Sequence, residues 1–119
     1  MSTLDSLPGW VAQHRDAMVQ DLTDYVSAET PSDDKILLEQ GLQWIEGWLR
    51  RRIGDPASRR IVDGGELGDI AILDYPADDD AGPWVTALCH YDTVWSAGTM
   101  ASGLPLSTAT GSPDPVPLI

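Results

Sequence analysis

Basic residues are scarce in this chain of 119: seven lysines and arginines stand against nineteen acidic residues, for a formal net charge of -12. A protein that grips phosphate backbones needs a basic footprint, so nucleic acid is excluded as a partner. The same sign argues against an anionic membrane surface. Arg50, Arg51 and Arg52, with Arg59 and Arg60 just beyond, are too few to reverse that balance. Cysteine is nearly absent. Cys89 stands alone, so no internal disulfide forms and a reducing compartment is the simplest setting. No apolar run approaches the ~20 residues that span a bilayer. The N-terminus, Met-Ser-Thr-Leu-Asp-Ser-Leu-Pro, lacks the basic and apolar regions of a signal peptide. A cytoplasmic protein is expected. Apolar content is 42%, which suits a modest globular domain rather than wholesale disorder.

The N-terminal half reads as two helices. From about Trp10 to Ala28, Val11, Met18, Leu22, Tyr25 and Val26 recur at three- and four-residue spacing. Pro8 lies near the helix start, where its missing N–H costs little. His14 falls among polar residues and reads as a surface histidine. Pro31 biases Thr30 away from helix, which breaks the chain at Glu29-Thr-Pro-Ser32. Ser32 is then a good N-cap, with Asp33 and Asp34 favoured in the first turn by the helix dipole. The second helix runs to about Arg52. Leu37, Leu38, Leu42, Trp44, Ile45, Trp48 and Leu49 give it a wide apolar face. The arginine run suits its last turn, and Gly54 is a plausible stop.

From Ser58 the pattern turns to strands. Arg60-Ile-Val-Asp63 is closed by Gly64-Gly65, and Gly68 to Tyr75 is closed by Pro76. Ala77 to Pro83 is an acidic turn, without the alternating ligands and distal glutamate of a calcium loop. Val85 to His90 is the third and most apolar strand. Two helices followed by strands, the last almost unbroken in hydrophobicity, suggest the opening of an α/β layer.

That last strand ends on His90, and Asp92 follows two residues later. Residues i and i+2 of an extended segment share a face. A histidine beside a carboxylate suits a metal ligand with an orienting acid. Cys89 neighbours His90, but adjacent strand positions face opposite ways, which makes Cys89 a buried structural residue.

A lone His-x-Asp triplet recurs by chance; its surroundings here are more specific. Leu88-Cys-His-Tyr-Asp-Thr-Val-Trp-Ser-Ala-Gly-Thr99 closely resembles the first metal-binding motif of the co-catalytic zinc metallopeptidases of the aminoacylase and glutamate carboxypeptidase type. Thr30-Pro-Ser32 and the Trp48-Leu-Arg50 helix end look like that family too, so the likeness covers about Val11 to Leu106. Two departures are Cys89, where glycine is usual, and Ser96, where proline is usual. By this resemblance residues 1–106 are the N-terminal fragment of a metallopeptidase-like catalytic domain: α/β, two helices followed by strands. His90 would bind one of two zinc ions, and Asp92 would orient it as the catalytic acidic residue. In the intact family two metals activate a water that attacks the carbonyl of a small peptide or an acyl-amino acid, and a separate glutamate is general base. Those enzymes are often homodimeric, are much longer, and carry their remaining ligands further along the chain.

The tail departs most. After Pro105 the family continues with a segment like Gly-Asp-Arg-x-x-Gly-Pro-Gly-x-x-Asp-Met-Lys, whose Asp bridges the metals. Here Ser107 to Ile119 is proline-rich: four of the nine prolines lie between Pro105 and Pro117, and Asp114 is the only charge after Asp92. Joining each codon's last base to the first two of the next allows the family segment in register. Thr108-Ala109 can give Gly, Ala109-Thr110 can give Asp and Thr110-Gly111 can give Arg. Pro113 to Val116 can give Gly-Pro-Gly, and Leu118-Ile119 can give Asp. Codon degeneracy thus permits a frameshift near Met100 to Leu106, with residues 107–119 an out-of-frame, disordered tail.

The expected function is therefore that of a zinc-dependent amide hydrolase fragment, inactive as it stands, because one histidine does not hold a catalytic zinc that normally takes three protein ligands. Two rival expectations remain. One is a small non-enzymatic partner-binding module that keeps the first layer of the fold. The other is a sequencing error within an intact gene. Unpaired apolar strand edges would make a fragment prone to aggregate.

Overall fold

The computed structural model describes residues 3–76 and 82–99. Residues 77–81 of the acidic turn expected at Ala77 to Pro83, and the tail at 107–119, lie outside the described residues. The order is α1 (Thr3–Ser27), α2 (Lys35–Ile53), β1 (Ser58–Val62) and β2 (Ile70–Asp74). Two helices are followed by a two-stranded antiparallel sheet, so the coarse helix-then-strand order expected from the sequence is present.

α1 begins earlier than its periodicity predicts, and Pro8 lies inside it rather than at its edge. Its apolar stripe of Val11, Met18, Leu22 and Val26 is largely exposed. α2 begins at Lys35, and its cap corrects the expectation for Ser32. Asp34 is extended, and its carboxylate accepts from the Leu37 N–H at 3.0 Å. A carboxylate is at least as good a cap as a hydroxyl and also complements the helix dipole. Ser32 is thereby released for another contact. At the far end Gly54 takes φ +88°, and its N–H reaches the Arg50 carbonyl at 3.0 Å, where a side chain would be strained.

The core lies on α2. Leu38 is 1% exposed and Leu42 9%. The two helices are joined chiefly by polar side chains. Asp21 of α1 accepts from Trp48 Nε1 at 2.8 Å and from Arg52 Nε and Nη2 at 2.8 and 2.6 Å. Arg52, one of the run placed in the last turn of α2, thus also cross-links the helices. Tyr25 packs on Trp44 with ring centroids 5.6 Å apart, and Trp44 stacks on Trp48 at 6.4 Å.

The hairpin pairs Ser58 with Asp74 through to Val62 with Ile70. Arg59 of β1 grips the buried Glu46 of α2 with both Nε and Nη2, the latter at 3.0 Å, a forked ion pair that ties the sheet to the helix. The hairpin loop is fastened at Lys35, whose ammonium meets Asp69 and the Leu67 carbonyl.

The expected third strand is not formed. Residues 83–90 have no regular secondary structure, and Val85 and Leu88 are 90% and 95% exposed. A strand exists through its ladder, and no described strand lies beside this segment to pair with it. The expectation for Cys89 falls for the same reason: its thiol is exposed, not buried, because neither face of the segment is covered.

Candidate functional site: the His90–Asp92 corner

From Tyr91 the chain meets the loop between the helices. The Thr93 N–H donates to the Thr30 carbonyl at 2.7 Å, and the Ser32 N–H donates to the Thr93 carbonyl at 2.9 Å. These bonds form a single parallel bridge between Pro31 and Thr93. Side chains reinforce it. The Thr30 hydroxyl donates to the Tyr91 carbonyl at 2.6 Å, and Glu29 accepts from the Gly98 N–H at 2.6 Å. The Thr-Pro-Ser loop and the His-Tyr-Asp-Thr segment, some sixty residues apart in sequence, are therefore one local structure.

Alternation about this bridge decides which side chains face the protein. The Tyr91 hydroxyl turns inward and donates to the Asp69 carbonyl at 2.8 Å. Gly68 leaves room for it: a Cβ there would stand 2.7 Å from the Tyr91 oxygen. Burial pushes the Tyr91 phenol up. Gly41 does the same for the loop, because a Cβ on it would meet Thr30 Cγ2 at 2.2 Å. With Tyr91 inward, His90 and Asp92 fall together on the outer side. The expected shared face is thus present although the backbone is not a strand.

His90 Nδ1 faces the Asp92 carbonyl at 3.1 Å and Asp92 Oδ1 at 3.3 Å. Both are acceptors, so in the neutral ring Nδ1 carries the proton and Nε2 keeps its lone pair. The side chain is 87% exposed, which leaves that lone pair open to a ligand. Asp92 divides its carboxylate: Oδ1 towards His90, and Oδ2 accepting from the Ser32 hydroxyl at 2.7 Å. That hydroxyl, opposed by partial burial and helped by His90, holds the Asp92 carboxyl below the usual carboxylate range. Ser32 is the residue that the sequence argument missed, because a serine before two aspartates signals a cap.

The donor set fits one position of a zinc site: an imidazole nitrogen held by a carboxylate on the opposite ring atom. It does not close the site. Among the described residues, no three or more His, Cys, Asp or Glu side chains are grouped to hold a metal ion. His14 stays on α1, with Nδ1 at the Trp10 carbonyl at 2.7 Å and its ring stacked on Trp10. An open recess of about 520 Å³ borders Ser32, Asp33, Glu66, Leu67 and Thr93, and His90 stands outside it. Among the described residues, no helix is long and apolar enough to cross a membrane. Comparison with family models, with curated proteins and with solved structures finds no match to this chain.

Proposed function

We propose that this chain carries the first-ligand corner of a zinc-dependent amide hydrolase of the aminoacylase and carboxypeptidase type. His90 Nε2 is the zinc donor, and Asp92 is the acid that orients it. The observation that carries this reading is the pair of acceptors at His90 Nδ1, which in the neutral ring leaves Nε2 of an exposed side chain with its lone pair. The finer fold assignment, an incomplete zinc-peptidase-like domain, belongs to the same proposal, as does a cytoplasmic location. Zinc bound with its full ligand set would polarise an amide carbonyl and activate water. One imidazole does not do this, so the chain alone is inactive.

Zinc titration by calorimetry, run beside an amidase assay on acyl-amino acids and dipeptides, tests the reading. Weak zinc binding that His90→Ala removes, with no turnover, is expected. Zinc binding indifferent to His90→Ala removes the ligand assignment. Turnover that His90→Ala abolishes overturns the inactivity. Re-reading the DNA from codon 95 onward tests the out-of-frame tail, which requires the family segment in the shifted frame.

A second reading has its own support. Trp84, Val85, Leu88, Val94 and Trp95 are each exposed, as are the apolar residues of the α1 stripe, and exposed apolar side chains suit a partner-binding module. A monodisperse species with cooperative unfolding favours that module; aggregation favours the hydrolase fragment.

A further inference from the structure

Ser32 has two acceptors within reach, Asp92 Oδ2 at 2.7 Å and the Thr93 carbonyl at 2.9 Å, and one hydroxyl proton. The Thr93 carbonyl already accepts the Ser32 N–H. The carboxylate is charged and closer, so the proton goes to Asp92. The bond decides more than attachment. A carboxylate free to rotate about its Cβ–Cγ bond presents either oxygen, or neither, to its neighbour. With Oδ2 tied to Ser32, Oδ1 is turned towards His90 Nδ1.

We propose that Ser32 is a positioning residue for His90: by fixing the Asp92 carboxylate it adds a second acceptor to the Asp92 carbonyl already at His90 Nδ1, shifts the ring further towards the Nδ1–H tautomer, and so helps keep the Nε2 lone pair available for a metal. The assignment rests on the zinc-site reading above in what the lone pair is for, but not in how it is set. The backbone bridge at Thr93 holds the segment in place without the Ser32 hydroxyl. The hydroxyl is therefore separable from docking. Thr30 provides the contrast, since its hydroxyl bonds the Tyr91 carbonyl and no atom of Asp92 or His90.

The test is the His90 tautomer ratio in the metal-free full chain, read from long-range nitrogen–proton correlations of the neutral ring, with His14→Gln removing the second imidazole. Wild type is expected mainly as Nδ1–H. Ser32→Ala is expected to raise the Nε2–H to Nδ1–H ratio roughly fivefold, the equivalent of one ordinary net hydrogen bond. Ser32→Thr should restore the wild-type ratio, and Thr30→Val should leave it unchanged. A flat ratio in Ser32→Ala overturns the proposal, and so does an equal shift in Thr30→Val, which would make the effect one of loop docking. Should Ser32→Ala not fold, Ser32→Thr against Ser32→Val, alike in shape, reads the same difference. Zinc added to the same samples separates the two ideas: an expected ratio without zinc binding removes only the hydrolase reading, and zinc binding with a flat ratio removes only the role of Ser32.

Discussion

At the scale of single residues, the corner depends on which neighbour each side chain takes. His90 and Asp92 were legible as a pair because extended backbone repeats every two residues. Ser32 was not, because its partner lies sixty positions away and its local context mimics a cap. Glu46 offers the clearest acid dependence. The Arg59 guanidinium holds its carboxyl below the usual range, against an opposing push from burial. A carboxyl lowered on folding adds stability that is complete above its unfolded value and lost as pH falls through its folded one. We expect the melting temperature to fall on acidification below about pH 4.5, and Glu46→Gln to flatten that limb while lowering the plateau. An unchanged limb in Glu46→Gln would show that the pair contributes nothing.

At the scale of elements, both helices and the two short strands were legible from spacing, glycines and prolines, but not the antiparallel pairing of those strands. The third strand was not, since apolarity marks a segment that wants burial but does not supply the ladder. Contacts between elements were equally hidden: nothing local says that Asp21 will take Trp48 and Arg52. Asp21→Ala is expected to speed amide exchange along α1 while leaving the β1–β2 amides unchanged; equal acceleration in both would make the clamp global. Gly41 is the more severe case. Its missing Cβ is the space that Thr30 occupies, and overpacking of this kind typically costs about 1–3 kcal/mol. Gly41→Ala should lower stability by that order in chemical denaturation and release Tyr91 from the loop, seen as faster exchange at the Thr93 amide.

At the scale of the whole molecule, burial is sparse. Leu38 and Leu42 are the only buried large apolar side chains among the described residues, whereas Leu88, Val85, Val94 and Leu4 are mostly exposed. Surface of this kind associates. Sedimentation velocity is expected to show concentration-dependent self-association that the double variant Val85→Glu, Leu88→Lys reduces. A monomer at all concentrations would contradict this and move the partner-binding module ahead.

The bridge at Pro31 and Thr93 also sets an order of events. It joins residues more than sixty apart, whereas the hairpin closes over far fewer. Loop-closure entropy grows with the logarithm of the span, about 0.6 kcal/mol for each doubling, and long-range contacts slow folding. The helices and hairpin should form early and the bridge last. The tautomer of His90 is then fixed in the final step of folding, and should be the first feature surrendered on mild denaturation, before either helix melts.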